Sequence, residues 1–159
     1  MVSKRIWRMV GLIAAGSLAL VGCTSGGATP SPVAGGGEAT TVAVTLQEWA
    51  VVPAADSAPA GEVTFEVTND GPEDIHEFVV LRTDLVPADL PVDENGVVSE
   101  EGEGIEVIDE IEDIPVDASE DLTVSLDAGS YVLLCNIWSE DEGEAHYQTG
   151  MRVAFTVDE

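Results

Sequence analysis

The sequence predicts an all-β domain, an antiparallel sandwich or Greek-key barrel. Apolar residues alternate with polar ones over short runs, turn-forming clusters separate those runs, and no long stretch shows helical periodicity between caps. In chain order, Val42, Val44 and Leu46 alternate with polar or small neighbours. Val63, Phe65 and Val67 do so in EVTFEVT, and Leu122, Val124 and Leu126 in DLTVSL. Period two with one polar face marks a half-buried strand. Residues 76–82 (HEFVVLR), 105–111, 131–136 and 151–157 (MRVAFTV) read as further strands. Asn69-Asp70-Gly71-Pro72, Asn95-Gly96 and Asp127-Ala128-Gly129 supply the turns.

Ahead of this domain the chain reads differently. Lys4, Arg5 and Arg8 precede an apolar run over 9–21 that is too short for a comfortable membrane span and ends in Leu20-Val21-Gly22-Cys23. This stretch resembles a bacterial lipoprotein signal. The resemblance implies that residues 1–22 are removed, that Cys23 becomes a lipid-bearing N-terminus, and that the domain is extracytoplasmic and anchored to a membrane. Residues 23–39 are Gly, Ser, Thr, Pro and Ala with one charge, a composition that cannot bury a core and reads as a flexible tether. Residues 40–159 are then one domain, long enough to fold without disulfides.

Charge narrows the partners. Outside the signal only Arg82 and Arg152 stand against 31 acidic residues, which argues against nucleic acid and anionic lipid surfaces as binding partners. A cationic protein surface, a metal ion or a salty medium suits such a chain. The irregular stretch 83–104 reads as a long surface excursion of the functional or mobile kind. Its Asp93-Glu94-Asn95-Gly96 does not place oxygen ligands at EF-hand spacing, so it reads as a turn rather than a calcium loop.

With Cys23 committed to lipid, Cys135 is a lone thiol. The side chains that soft metals prefer, within the domain, are Cys135, His76, His146 and Met151, and three of them fall between 135 and 151. Tyr131, Leu133 and Cys135 share a strand face, as do Met151, Val153, Phe155 and Val157, so Cys135 and Met151 are expected to point inward at neighbouring strand ends. Two imidazoles and a thiolate in a trigonal array with a weak axial thioether suit copper in both redox states. Zinc can use the same Cys and His but gains little from a thioether.

These residues carry a family resemblance. Ala60-Gly61 through Asn69 and Gly71, then His76-Glu77-Phe78-Val79-Val80, Gly129-Ser130-Tyr131 through Cys135, and His146-Tyr147-Gln148-Thr149-Gly150-Met151 resemble the motifs of the cupredoxins, small blue copper proteins. The resemblance spans roughly residues 41–157. It implies a cupredoxin-like Greek-key sandwich of about seven to eight strands, with one mononuclear copper held by His76, Cys135 and His146 and with Met151 axial. Two departures stand out. Ten residues separate Cys135 from His146, four of them acidic, where the family has only a few; and Glu77 stands where the family often has Asn or Ser. A carboxylate near the metal is expected to favour Cu(II).

The expected function is one-electron transfer by a monomer with a redox protein partner, without catalysis. Copper capture and delivery, or a metal-free interaction module, are the other readings. Multicopper oxidase or nitrite reductase activity would need more histidines than the two present. Trp49 is expected in the core near the end of the first strand, and Trp138 either as a lid over the metal or as an exposed docking residue.

Overall fold

The computed structural model describes residues 39–140 and 142–159. The signal over 1–22, Cys23 and all of the tether but Ala39 lie outside the described residues. The chain forms β1 (Thr40–Gln47), β2 (Ala50–Pro53), β3 (Ser57–Pro59), β4 (Gly61–Asn69), β5 (His76–Arg82), β6 (Glu106–Ile114), β7 (Ser119–Leu126) and β8 (Gly129–Leu134). There follow β9 (Trp138–Ser139), β10 (Glu144–Ala145), one helical turn α1 (His146–Thr149) and β11 (Arg152–Asp158). Every strand expected from the alternation is present. The additions are short: β2, β3, β9 and β10 hold too few residues to display a period.

The longer strands make two sheets, one ordered β2-β1-β4-β7 and the other β3-β11-β8-β5-β6. The sheets are mixed rather than antiparallel throughout, because β1 runs parallel to β4 and β3 parallel to β11. Alternation reports which face of a strand is buried; it carries no information about the direction of the neighbour, hence the difference.

Between the sheets lies the main core. Val42, Val44 and Leu46 of β1, Val63, Phe65 and Val67 of β4, and Leu122, Val124 and Leu126 of β7 face Phe78 and Val80 of β5, Tyr131 and Leu133 of β8, and Phe155 and Val157 of β11. Phe65 joins the layers, its ring centroid 5.3 Å from Phe78 and 5.5 Å from Phe155.

β5 and β8 are buried on their second faces too. Val79, Leu81, Val132 and Leu134 pack with Leu90, Val98 and Tyr147 in a separate cluster on the outside of the five-stranded sheet. Burial on both faces accounts for the uninterrupted apolar runs FVVL and YVLLC. The cover comes from segment 83–104, which is folded down onto the sheet. The Tyr147 hydroxyl donates to the Pro87 carbonyl at 2.7 Å. Asn136 accepts the Val98 N–H at 2.7 Å and donates to the Val98 carbonyl at 3.1 Å. Within the segment, Asp93 Oδ1 accepts N–H groups from Asn95 and Val97, and Gly96 sits at φ +86°, so this is a turn, as its spacing suggests.

Asn136 therefore ties segment 83–104 to the end of β8. Asn136→Ala is expected to cost the metal-free protein about 1–3 kcal/mol in urea unfolding. It should also speed proteolytic cutting within 83–104 by more than the global loss accounts for.

Candidate metal centre

His76, Cys135, His146 and Met151 meet at one end of the sandwich, each delivered by a braced piece of backbone. His76 opens β5 after a turn that Asn69, the fully buried last residue of β4, holds shut. Asn69 Nδ2 donates to the carbonyls of Asp74 and Ile114, both at 2.9 Å, and its Oδ1 accepts the Gly71 N–H at 2.8 Å. A side chain at Gly71 would put a Cβ 2.9 Å from Asn69 Oδ1, so only glycine fits beneath the brace. Glu48 braces the same turn from β1's side, its Oε1 accepting the N–H groups of Glu73 at 3.1 Å and Asp74 at 2.8 Å.

Cys135 follows β8 directly and donates its N–H to the Met151 carbonyl at 3.0 Å, while the Met151 N–H donates to the His146 carbonyl at 3.1 Å. Four of the ten residues between Cys135 and His146 form the β9–β10 hairpin, pairing Trp138 with Ala145 and Ser139 with Glu144, and the His146 N–H donates to the Ile137 carbonyl at 2.9 Å. The insertion thus leaves and re-enters the site at adjacent points.

Both rings turn Nδ1 toward the thiol. His146 Nδ1 lies 3.4 Å and His76 Nδ1 3.9 Å from Cys135 Sγ, and the two Nδ1 atoms are 3.2 Å apart. A triangle with these sides has its centre about 2.0 Å from each corner, close to the ~2.0–2.3 Å of imidazole and thiolate bonds to a first-row metal. His76, Cys135 and Met151 are 0 % exposed and His146 1 %, so the donors are shielded from bulk solvent. Met151 lies on the inward face with Val153, Phe155 and Val157, as the parity of the sequence indicates. The donor set suits a single copper ion.

Trp49 is half-buried and lays its indole edge-on to both rings, 4.9 Å from His146 and 6.5 Å from His76 between centroids. Trp138 is 36 % exposed and, with Asp74, Ile75, Ile137 and His146, lines a surface pocket of about 260 Å³. It flanks the site as an exposed residue.

Burial governs the electrostatics. It pushes the Cys135 thiol up to about 12, against donation from the backbone of Glu77 and Ile137. Burial, with His146 close by, brings His76 down to about 4 despite Glu48 and Asp74, and burial also lowers His146. Burial acts upward on the Glu48 carboxyl too, but N–H donation from Asp74 and Glu73 outweighs it and holds Glu48 below the usual carboxylate range. Without metal the thiol and both rings are therefore neutral at pH 7.

Glu77 behaves differently from the expectation. Its N–H, not its carboxylate, reaches Cys135 Sγ, at 3.3 Å. The carboxylate points to the other side of β5, where it clusters with Glu100 and Glu110. Glu48 and Trp49 are the residues that sequence reasoning leaves out of the site. They sit at the break between β1 and β2, and only the packing of the two sheets brings that break to the same end of the sandwich as His76.

No family model and no curated protein matches the chain. Solved structures do. A dithionite-reduced auracyanin from the photosynthetic bacterium Roseiflexus castenholzii is 22% identical, with a TM-score of 0.54 over 77% of this chain and 100% of that one. Auracyanin B is 20% identical, with a TM-score of 0.51 over 76% of this chain and 90% of that one. An azurin from Methylomonas sp. strain J is 16% identical, with a TM-score of 0.50 over 76% and 98%. The chain has the cupredoxin fold. Among the described residues no helix is long and apolar enough to cross a membrane.

Burial and the neighbouring carboxylates Glu110 and Glu100 raise the Glu77 carboxyl from 4.5 to about 7. The folded protein then holds this proton where the unfolded chain has lost it, so ionised Glu77 costs stability above pH 7 and the cost fades as pH falls toward 4.5. Glu77→Gln should stabilise the metal-free protein by about 2 kcal/mol near pH 8, a figure discounted for partial exposure, and by nothing measurable near pH 4.5. Urea midpoints across that range check it.

Proposed function

We propose that this chain is an extracytoplasmic, lipid-anchored copper protein that carries single electrons on a copper ion that His76, Cys135, His146 and Met151 would hold. The observation that carries the reading is the convergence of two Nδ1 atoms and one Sγ, all on buried side chains, on a common point at bonding radius. Copper bound there supplies a Cu(II)/Cu(I) couple.

The protein's own residues do the rest. Asn69 and Glu48 fix the turn that presents His76, and the Cys135–Met151 and Met151–His146 backbone bonds hold the other three donors in one frame. A frame that does not rearrange keeps the reorganisation between oxidation states small. The Glu77 N–H donates to the sulfur and steadies its negative charge. With the donor side chains buried, the site offers no open position for a substrate, which favours a carrier over an enzyme.

In this reading residues 1–22 direct export, Cys23 carries the lipid, and 23–39 tether the 40–159 domain to a membrane. The domain works as a monomer, and its excess of acidic residues meets a redox partner through a cationic surface. Copper capture and delivery is the second reading, and one observation favours it. Asp74 and Glu142 bring carboxylate oxygens within 4.8 Å of a ring nitrogen of His146, at the outer side of the site, where cations would gather.

A soluble form beginning at residue 40 is expected to take up one equivalent of Cu(II), with an intense charge-transfer band that Cys135→Ser abolishes. An unchanged spectrum in that variant sinks the assignment. Because burial puts the thiol at about 12, uptake at neutral pH must displace its proton. Calorimetry in buffers of different ionisation enthalpy should register that release, and Cu(II) affinity should rise about tenfold per pH unit near neutrality. A carrier keeps copper in both oxidation states against a competing chelator, whereas a delivery protein gives it up.

Electron exchange with a cationic partner should slow by about an order of magnitude or more as ionic strength goes from ~0.01 to ~0.15 M. Stopped-flow rates that ignore salt would assign the acidic surface to solvation instead.

A further inference from the structure

We propose that Glu48 is a positioning residue of the metal centre, accepting the outer N–H of His76 on its carboxylate and, through that ring, weighting bound copper toward Cu(II). The pairing is argued from geometry alone, while the weighting rests on the copper reading above.

His76 directs Nδ1 at His146 and Cys135, so its Nε2 faces away from the metal position. There it lies 3.8 Å from Glu48 Oε1, with the His76 side chain 0 % and the Glu48 side chain 11 % exposed. Among the described residues, His76 Nε2 and Glu48 Oε2 are both buried without a hydrogen-bond partner. Unpaired buried donors and acceptors carry a full desolvation penalty, and these two belong to neighbouring side chains. A shift of less than about 1 Å closes the gap to bonding range, ~2.7–3.2 Å.

Glu48 is held for the task. Its Oε1 takes the N–H groups of Glu73 and Asp74, in the turn that leads into His76. One carboxylate therefore fixes the turn that delivers the ring and faces the ring it delivers. An imidazole ligand whose second N–H goes to a carboxylate is locked in tautomer and orientation and becomes a more basic ligand. An ionised carboxylate one ring away from the metal also favours the more highly charged ion.

Glu48→Gln tests both halves. The amide keeps an oxygen for the Glu73 and Asp74 N–H groups, loses the charge, and puts N–H groups in place of the unpaired Oε2. In the metal-free wild type, NMR of the imidazole nitrogens should find the His76 proton on Nε2; in the variant it should move toward Nδ1. In the copper-loaded variant, preference for Cu(II) over Cu(I) should fall about tenfold, a rise in potential of about 59 mV for one electron. A wild-type His76 protonated on Nδ1 overturns the pairing. An unmoved potential, with both oxidation states bound more weakly by the same factor, reduces Glu48 to a brace of the turn and overturns the weighting. Should the protein bind no copper, the copper reading and the weighting fail together, and the ring tautomer still decides the pairing. If the Gln variant does not fold, Glu48→Asp serves, since it keeps the charge but draws it back from Nε2: the potential should then rise by less than the Gln figure, and no rise overturns the weighting.

Discussion

The register between β5 and β8 is the constraint on which the site depends. Val79 stands opposite Leu134 and Val80 opposite Leu133, so the start of β5 runs alongside the residues that follow β8. In this register His76, Phe78 and Val80 face the main core together with Leu133 and Cys135. A slip of one residue would turn either set outward, burying acidic Glu77 and exposing the thiol. What prevents the slip is packing on both faces. Phe78 locks against Phe65 within the sandwich, and Val79 and Leu134 lock beneath segment 83–104 outside it. Ligand geometry is thus a by-product of core geometry, set before any metal arrives.

The same arrangement explains how a strongly acidic chain holds a buried site whose thiol and imidazoles are neutral without metal. Its carboxylates are sorted by face. Glu77, Glu100 and Glu110 sit together across β5 from the donors, whereas Glu48, Asp74 and Glu142 lie on the donor side, Glu48 steadied by two N–H groups. On one side of the sheet burial and the crowding of like charges raise the proton affinity of Glu77 and Glu110; on the other, N–H donors hold Glu48 ionised.

Much of this was legible in the sequence, and the parts that were not share a cause. Alternation located the strands because half-burial imposes a period of two, and the parity of Cys135 with Leu133 and of Met151 with Phe155 placed both sulfurs inward for the same reason. The four soft donors stood out by scarcity. Relations between distant segments were hidden. The parallel neighbours of β1 and β11 leave no trace in a pattern of burial. Segment 83–104 reads as a surface excursion because Leu90 and Val98, which anchor it, belong to no periodic apolar pattern. Glu48 looked like one carboxylate among many, and Glu77 looked like a neighbour of the metal because sequence adjacency says nothing about which side of a strand a side chain takes.

The β9–β10 hairpin has a consequence for how such a chain can change over generations. Its base is pinned where the His146 N–H meets the Ile137 carbonyl, and its far end closes through Gly143, at φ +72° with open space around it. Residues added, removed or exchanged beyond the pin alter the outline of the molecule beside Trp138 without changing the separation of Cys135 and His146. The chain can therefore vary what it shows to the outside at this point while inheriting its ligand geometry intact.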